Sequence, residues 1–192
     1  MKERHFWRVI RQAGTSRAAL LALLADRPAP EVIGFHRKLV QVHQRAYRWD
    51  VLLAFTIVLG ELNPRLVADA IGWLVLRGKR TFRDVLIDPD LLARLAIDRG
   101  AVGSVRWLLR VARDRLVPPH DALDDMRLIT EAVNEVLGDV DFGRPSPGER
   151  PTLDAESLRL RFPLLAHRFP LDGIAAPGWL EPERRRDVVS DA

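Results

Sequence analysis

The chain has 192 residues, 47% of them hydrophobic and 29% charged, which suits one globular domain with a sizeable core. It contains no cysteine, which excludes disulfides, thiolate metal ligands and thiol nucleophiles. The formal net charge is +4, and residues 1–50 hold ten Lys/Arg against four Asp/Glu. The basic excess therefore lies in the first quarter of the chain.

Charged residues interrupt the first fourteen positions, so no signal peptide is predicted. The most apolar stretch, 51–59, is far shorter than the roughly 20 residues of a membrane span. Only three of the basic residues are lysine, a bias typical of GC-rich bacterial genomes. We therefore expect a bacterial, cytoplasmic protein that does not enter the membrane.

The first helix is predicted over residues 5–13, and a second follows a cap at Thr15 or Ser16. The strongest pattern begins at Pro30, where apolar residues from Phe35 to Leu53 recur at spacings of four and three. This pattern predicts one continuous helix to Gly60. Because residues 51–59 are apolar on all sides, we expect them at the centre of the core.

Capping residues, prolines and glycines predict the remaining helix boundaries. Starts are expected at Asn63-Pro64, Thr81, Asp88-Pro89 (with the helix from Leu91), Asp121 and Asp154, and breaks at Gly78, Gly100, Gly103, Pro118 and Pro163. Residues 138–153 read as a long loop, and residues 173–192 as a C-terminal extension that is disordered from 181.

Together these elements predict an all-α fold: an irregular bundle of about seven or eight helices, forming a single domain over residues 1–172. The residues expected in or near the core are Trp7, Phe35, Trp49, Leu52, Phe55, Ile57, Val58, Trp73, Phe82, Leu91 and Trp107.

The sequence offers no catalytic centre, metal site or cofactor motif. His36 and His43 are two helical turns apart, about 10 Å along the axis, so they are too distant to chelate together and are expected to be exposed to solvent. Asp88/Asp90 and Asp124/Asp125 fit helix capping and the helix dipole better than acid–base chemistry. No phosphate loop or GxSxG elbow occurs.

Asp50 follows Tyr47 and Trp49 at the point where the predicted helix becomes apolar, so it is expected to be partly buried and to need a partner. Arg45, Arg48 or Arg77 could supply that charge. This group forms either a structural ion pair or one wall of a ligand-binding cleft made by Tyr47, Trp49, Asp50 and Arg77.

The helix from Pro30 also carries a basic face of Arg37, Lys38, Arg45 and Arg48. Such a face could contact phosphates, with salt-sensitive affinity. Solvated arginines are equally ordinary on the outer face of a helix, and no nucleic-acid-binding motif accompanies them.

Several residues resemble the largely bacterial domain of unknown function 4240. The matching positions are Phe6-Trp7, Ile10, Phe35, Ala46-Tyr47, Trp49-Asp50, Gly60, Trp73-Leu74-Val75, Gly78, Phe82, Asp88-Pro89-Asp90, Leu92-Ala93 and the closing run 161–169. This chain lacks the tryptophan that usually follows the Trp-Asp pair, and it has Glu61 and Asn63 where the family carries paired aspartates. The resemblance implies an all-helical fold and no established activity.

The absence of a nucleophile, metal set or phosphate loop favours a non-catalytic protein-interaction or regulatory module, whose partner is another protein or a second copy of the chain. Two alternatives stay open. One is a nucleic-acid-binding protein that uses the basic helical face. The other is a small-ligand-binding protein or enzyme with its site around Tyr47, Trp49 and Asp50.

Overall fold

The computed structural model describes residues 1–61, 63–117, 133–137, 154–171 and 174, and these residues form an all-α fold without β-strands. Seven of the helices in this part have nine or more residues, in agreement with the predicted bundle. The helices are α1 (Glu3–Ala13), α2 (Arg17–Ala25), α3 (Ala29–Ala46), α4 (Trp49–Leu59), α5 (Pro64–Leu76), α6 (Lys79–Ile87), α7 (Arg99–Gly103), α8 (Trp107–Leu116), α9 (Ala155–Arg161) and α10 (Pro163–Arg168). Short 3₁₀ helices span Pro89–Arg94 and Ser104–Arg106, and residues 133–137 are also helical.

The core is one hydrophobic cluster that extends from α1 to Leu171. Helix α4 lies within it, and every residue from Val51 to Val58 is buried, as its unbroken apolar sequence predicts. Helix α5 packs against α1, α3 and α4, while α8 packs against α2 and α3. Each fully buried Leu, Ile or Phe contributes about 1.5–3 kcal/mol to folding, so this cluster is the main source of stability.

The single helix predicted from Pro30 to Gly60 is wrong, because the chain leaves the helical conformation at Tyr47 and Arg48. Arg48 is extended, with φ −125° and ψ 153°, and α4 begins at Trp49. The Asp50 carboxylate accepts a hydrogen bond from the backbone N–H of Val51 at 2.9 Å, which favours a helix start at this point. Arg48 also donates to the carbonyl of Leu86 at 2.9 Å, so a tertiary contact holds the break.

The prediction that His36 and His43 are exposed is also wrong. Both lie on the buried side of α3, with 3% and 0% of their surface exposed. The apolar stripe of α3 is wider than the spacing from Phe35 to Ala46 indicates, because α5 and α8 both pack against this helix. The histidines therefore occupy positions at its edges that are covered by protein.

Most predicted caps are present. The side chains of Ser16, Asn63, Asp88 and Asp154 each accept a hydrogen bond from a backbone N–H of the helix that follows. Their short polar side chains replace the missing intrahelical acceptors, which is the physical basis of the prediction. Pro163 separates α9 from α10, as expected from its lack of an N–H.

Three boundaries differ from prediction. Helix α6 begins at Lys79 rather than after Thr81, because Gly78 takes the N-cap position with φ +90°. Gly100 lies inside the short helix α7 instead of breaking the chain. The segment after Asp88 is a 3₁₀ helix, whose tighter turn places Leu92 in the core and leaves Leu91 only half-buried.

The predicted helix start at Asp121, the pair Asp124/Asp125, the loop 138–153 and nearly all of the C-terminal extension lie outside the described residues. Within the described ranges, no helix is both long and apolar enough to cross a bilayer.

Candidate anion-binding site

Asp50 is held by Arg48, one of the three partners considered for it. The Arg48 guanidinium donates to both carboxylate oxygens, with Nε 3.0 Å from Oδ1. Tyr47 is buried and Trp49 is half-buried against the core. Three donors already bind the Asp50 carboxylate. This bonding favours a structural ion pair over a ligand-binding cleft at Asp50.

The predicted basic face, which consists of three residues of α3 and Arg48 just beyond its end, carries less uncompensated charge than its sequence suggests. Arg45 forms an ion pair with Glu3 of α1 at 3.2 Å, and Arg48 is engaged by Asp50. Lys38 donates to the side chain of Gln41 at 2.6 Å, while Arg37 is exposed. Two of the four positive charges on this face are therefore paired with carboxylates.

A more strongly cationic site lies between α1 and the junction of α5 and α6, in a cleft of about 650 Å³ that we call the basic cleft. Among the described residues, six cationic side chains and no carboxylate line it. The lining residues in this part of the chain are Arg4, Trp7, Arg8, Ile10, Arg11, Gly14, Leu76, Arg77, Gly78, Lys79 and Arg80. A concentration of one charge around a concave surface creates a positive potential that attracts anions.

One wall of the basic cleft is built by α1. Arg4, Arg8 and Arg11 are separated by four and three residues, so they share one face of the helix and form a row about 10 Å long. All three are exposed, and none lies within 4.0 Å of a carboxylate in the described part of the chain. Helical spacing in the sequence indicates this row, although the predicted basic face lies on the helix from Pro30.

The opposite wall is formed by Arg77, Lys79 and Arg80. Lys79 Nζ lies 3.6 Å from Glu3 Oε1, and Arg80 Nε lies 3.8 Å from Asp84 Oδ2. Both pairs are long and solvent-exposed, so they neutralise these charges only weakly. Arg77, predicted to join the Asp50 group, lies on this wall instead and has no carboxylate within 4.0 Å among the described residues.

Aromatic packing fixes both walls. The Arg77 guanidinium stacks over the ring of Trp73, 4.4 Å from its centroid, which orients a side chain that would otherwise be flexible. The ring of Trp7 packs against those of Phe6 and Phe82, at centroid distances of 5.1 and 5.5 Å. Helices α1 and α6 are thereby tied together beneath the basic cleft.

Glu3 does not line the basic cleft, but it contacts two of the side chains that do, Trp7 and Lys79. Burial alone would raise the pKa of this carboxyl group, but hydrogen bonds from Trp7 and Arg45 and the charges of Arg45 and Lys79 together lower it. Glu3 therefore remains negative at neutral pH, and it holds Arg45 and Lys79 near the basic cleft. The α6 end of the site adds a partial positive charge, because no side chain caps this helix start.

The chemistry of the lining suits binding more than catalysis. Arginine keeps its proton throughout the physiological range, and the described residues that line the basic cleft include no histidine, serine, threonine or carboxylate. No group of three or more His, Asp or Glu side chains in the described residues is arranged to hold a metal ion. Among the side chains that line this cleft, only Lys79 could act as a nucleophile, and it is paired with Glu3.

The Asp88-Pro89-Asp90 run serves the fold rather than a site. Asp88 caps the 3₁₀ helix that begins at Pro89. The Asp90 carboxylate, which is 6% exposed, accepts hydrogen bonds from the backbone N–H groups of Leu164 and Leu165, both at 2.9 Å. Asp90 thus caps α10, a helix more than seventy residues further along the chain.

Comparison with known proteins identifies a family but no characterised relative. No curated protein and no solved structure matches the chain. The family model described as "protein of unknown function (DUF4240)" matches residues 1–115, which include both walls of the basic cleft and the Trp-Asp and Asp-Pro-Asp positions. The chain therefore belongs to the DUF4240 family of proteins of unknown function.

Proposed function

We propose that this protein is a non-catalytic regulatory module that binds an anionic partner in the basic cleft. The observation that carries this proposal is the lining: in the part of the chain that the structure describes, six cationic side chains and no carboxylate surround the basic cleft. Like charges placed together repel one another, so such a cluster is most stable when an anion occupies it. Binding, rather than chemistry, is the role that arginines can perform at neutral pH.

The proposal refines the interaction module expected from the sequence by specifying the charge of the partner. It also competes directly with the alternative that the α3 face binds nucleic acid. Two of the four charges on that face are paired with Glu3 and Asp50, whereas Arg4, Arg8, Arg11 and Arg77 have no carboxylate within 4.0 Å in the described residues. We therefore expect an anion to bind more tightly in the basic cleft than on the α3 face.

The test compares two double charge reversals in the full-length protein. Arg8→Glu/Arg11→Glu alters the basic cleft, and Arg37→Glu/Lys38→Glu is the matched control on α3. Binding of labelled anions (a short oligoglutamate, a short oligothymidylate and polyphosphate) is followed by fluorescence anisotropy at low and high ionic strength. Circular dichroism checks that both variants keep the helical fold.

We expect at least one anion to bind the wild type and the α3 variant, with affinity that falls as salt rises. The cleft variant should bind at least about tenfold more weakly, because each charged hydrogen bond contributes about 1.5–3 kcal/mol. Loss of binding only in the α3 variant would instead support the nucleic-acid alternative. Failure of the wild type to bind any anion at low salt would refute the proposal.

A further inference from the structure

We infer that the ligand of the basic cleft is a compact polyphosphate group, either free or attached to a nucleoside. This inference rests on the proposed function and narrows the anion to one chemical class. It depends on three properties of the site: the density of its charges, the distance over which they are arranged, and the absence of an open aromatic surface.

The charges are dense. Arg4, Arg8, Arg11 and Arg77 have no carboxylate within 4.0 Å among the described residues, and two weakly paired cations adjoin them. All of these lie around about 650 Å³, a volume within the range of small-molecule sites. A group of linked phosphates places several negative charges in that space and offers many acceptor oxygens to the forked donors of arginine.

An acidic peptide does not match this arrangement. Side chains on one face of an extended peptide recur every second residue, about 7 Å apart. Three carboxylates on one face would therefore span roughly 14 Å, which is longer than the row of about 10 Å formed by Arg4, Arg8 and Arg11 on α1. Such a peptide could meet only part of the positive charge of the basic cleft at one time.

A single-stranded nucleic acid lacks the surface that it needs. Proteins that bind single strands combine basic side chains with exposed aromatic rings on which bases stack. Trp7, the aromatic residue in the lining, is only 7% exposed, and its ring is packed against Phe6 and Phe82. Arg77 covers the ring of the nearby Trp73. These contacts leave the charged groups of the ligand as the main determinants of binding.

Trp7, Ile10 and Leu76 form the floor of the basic cleft but are only 7%, 0% and 7% exposed, so they offer a nucleoside little surface. A nucleoside attached to the phosphates could instead contact the apolar stems of the lining arginines, whereas inorganic polyphosphate could not. A nucleotide and free polyphosphate, the two possible sources of the phosphate group, are therefore distinguished by comparing their affinities for the protein.

The experiment is isothermal titration calorimetry on the full-length protein without Mg²⁺, with tripolyphosphate, ATP, orthophosphate, a hexaglutamate peptide and a short oligothymidylate as separate probes. Thermal denaturation with each probe gives a second measurement. The variants are Arg8→Gln/Arg11→Gln on α1 and Arg77→Gln on the opposite wall, with Arg37→Gln/Lys38→Gln as the matched control on α3.

We expect tripolyphosphate and ATP to bind with one site per chain, to raise the Tm, and to bind at least about tenfold more tightly than orthophosphate or hexaglutamate. Both cleft variants should weaken this binding, by about tenfold for each arginine removed, while the α3 control leaves it unchanged. Tighter binding of ATP than of tripolyphosphate would identify a nucleotide as the source, and equal or weaker binding would identify the free polyphosphate.

Two results would overturn the inference while sparing the proposed function. One is tighter binding of hexaglutamate or oligothymidylate than of tripolyphosphate, with the same dependence on Arg8 and Arg11. The other is equal affinity for orthophosphate and tripolyphosphate. If no probe binds at low ionic strength, the inference and the proposed function both fail.

Discussion

Acidification should destabilise this protein through His43, which is fully buried on α3. Its Nε2 lies 2.8 Å from the carbonyl oxygen of Ala68, so the neutral ring donates a hydrogen bond to α5. Burial lowers the pKa of His43 to about 4 from its ordinary value of 6.5, although the bond to Ala68 opposes this shift. The His43 ring therefore binds a proton more weakly in the folded protein than in the unfolded chain.

The direction and size of the effect follow from proton linkage. Above the unfolded pKa of 6.5 neither state is protonated at His43, and its pH-dependent contribution is absent. As the pH falls below 6.5, the unfolded chain binds a proton first, so the folded state loses relative stability until the pH reaches about 4. Between about pH 7.5 and about pH 5 this loss amounts to about 2 kcal/mol, and it approaches about 3 kcal/mol in stronger acid.

The assay compares urea denaturation of the wild type and His43→Gln across that pH range. The glutamine amide can still donate to Ala68, but it cannot titrate. We expect the wild type to lose about 2 kcal/mol more than the variant between about pH 7.5 and about pH 5. His167→Gln, at an exposed position on α10, controls for the loss of an imidazole elsewhere.

Other buried groups also change the stability with pH, but they do so equally in the wild type and in His43→Gln, so their effects cancel when the two proteins are compared. Burial lowers the pKa of His36, whose two ring nitrogens have no hydrogen-bond partner in the described residues, so it destabilises in acid as well. Burial raises the pKa of Asp69, although the charge of Arg106 opposes this shift. Asp69 therefore binds a proton more readily in the folded state and offsets part of the loss from the histidines. Equal pH dependence in the wild type and His43→Gln, or an NMR titration that places the pKa of His43 at or above 6, would refute the reasoning.

Three further predictions concern stability and are measured by chemical denaturation near neutral pH. Asp90→Ala removes the cap of α10 and should lower the free energy of unfolding by about 1–2 kcal/mol, and an unchanged value would mean that this cap contributes nothing. Arg8→Gln/Arg11→Gln removes repulsion between like charges and should raise the free energy of unfolding by a few tenths of a kcal/mol at low salt, an effect that disappears as salt is added. A lower free energy of unfolding in that variant would contradict the argument that Arg8 and Arg11 repel their cationic neighbours. Gly60→Ala should lower the free energy of unfolding by about 1 kcal/mol, because φ is +82° at this position. Gly72→Ala should raise it by about 0.5–1 kcal/mol, because Gly72 lies inside α5 and its nearest neighbours are 3.6 Å or more from an added Cβ. Effects of the same sign at the two glycines would show that backbone conformation does not control them.

The parts of the fold that depend on local sequence were predictable. A run of apolar residues identifies α4 as the central helix, and the caps at Asn63 and Asp154 follow from side-chain chemistry within three residues. The break between α3 and α4 could not be predicted from local sequence. Periodicity indicates which side of a helix faces the core, but it does not detect a local change of direction. Arg48 holds that break by reaching the carbonyl of Leu86, which lies 38 residues away.

The candidate site was predictable only in part, for the same reason. The row of Arg4, Arg8 and Arg11 is a local pattern that helical spacing reveals. The opposite wall comes from the junction of α5 and α6, and nothing local in the sequence brings Arg77 beside α1. The ion pair between Glu3 of α1 and Arg45 of α3, which neutralises part of the predicted basic face, likewise depends on the packing of two helices and cannot be read from local spacing.

The motifs that reveal family membership and the residues proposed to bind the ligand are under different physical constraints. Asp50 and Asp90 are bonded into the fold, one through Arg48 at the start of α4 and the other through the backbone of α10. In this chain these bonds stabilise the fold whatever the protein binds. Arg8 and Arg11, by contrast, make no ion pair or side-chain hydrogen bond with the described residues, so they can change without disturbing the helices. Similarity at the motif positions therefore indicates the fold, and the ligand of this protein has to be inferred from the residues that line its own cleft.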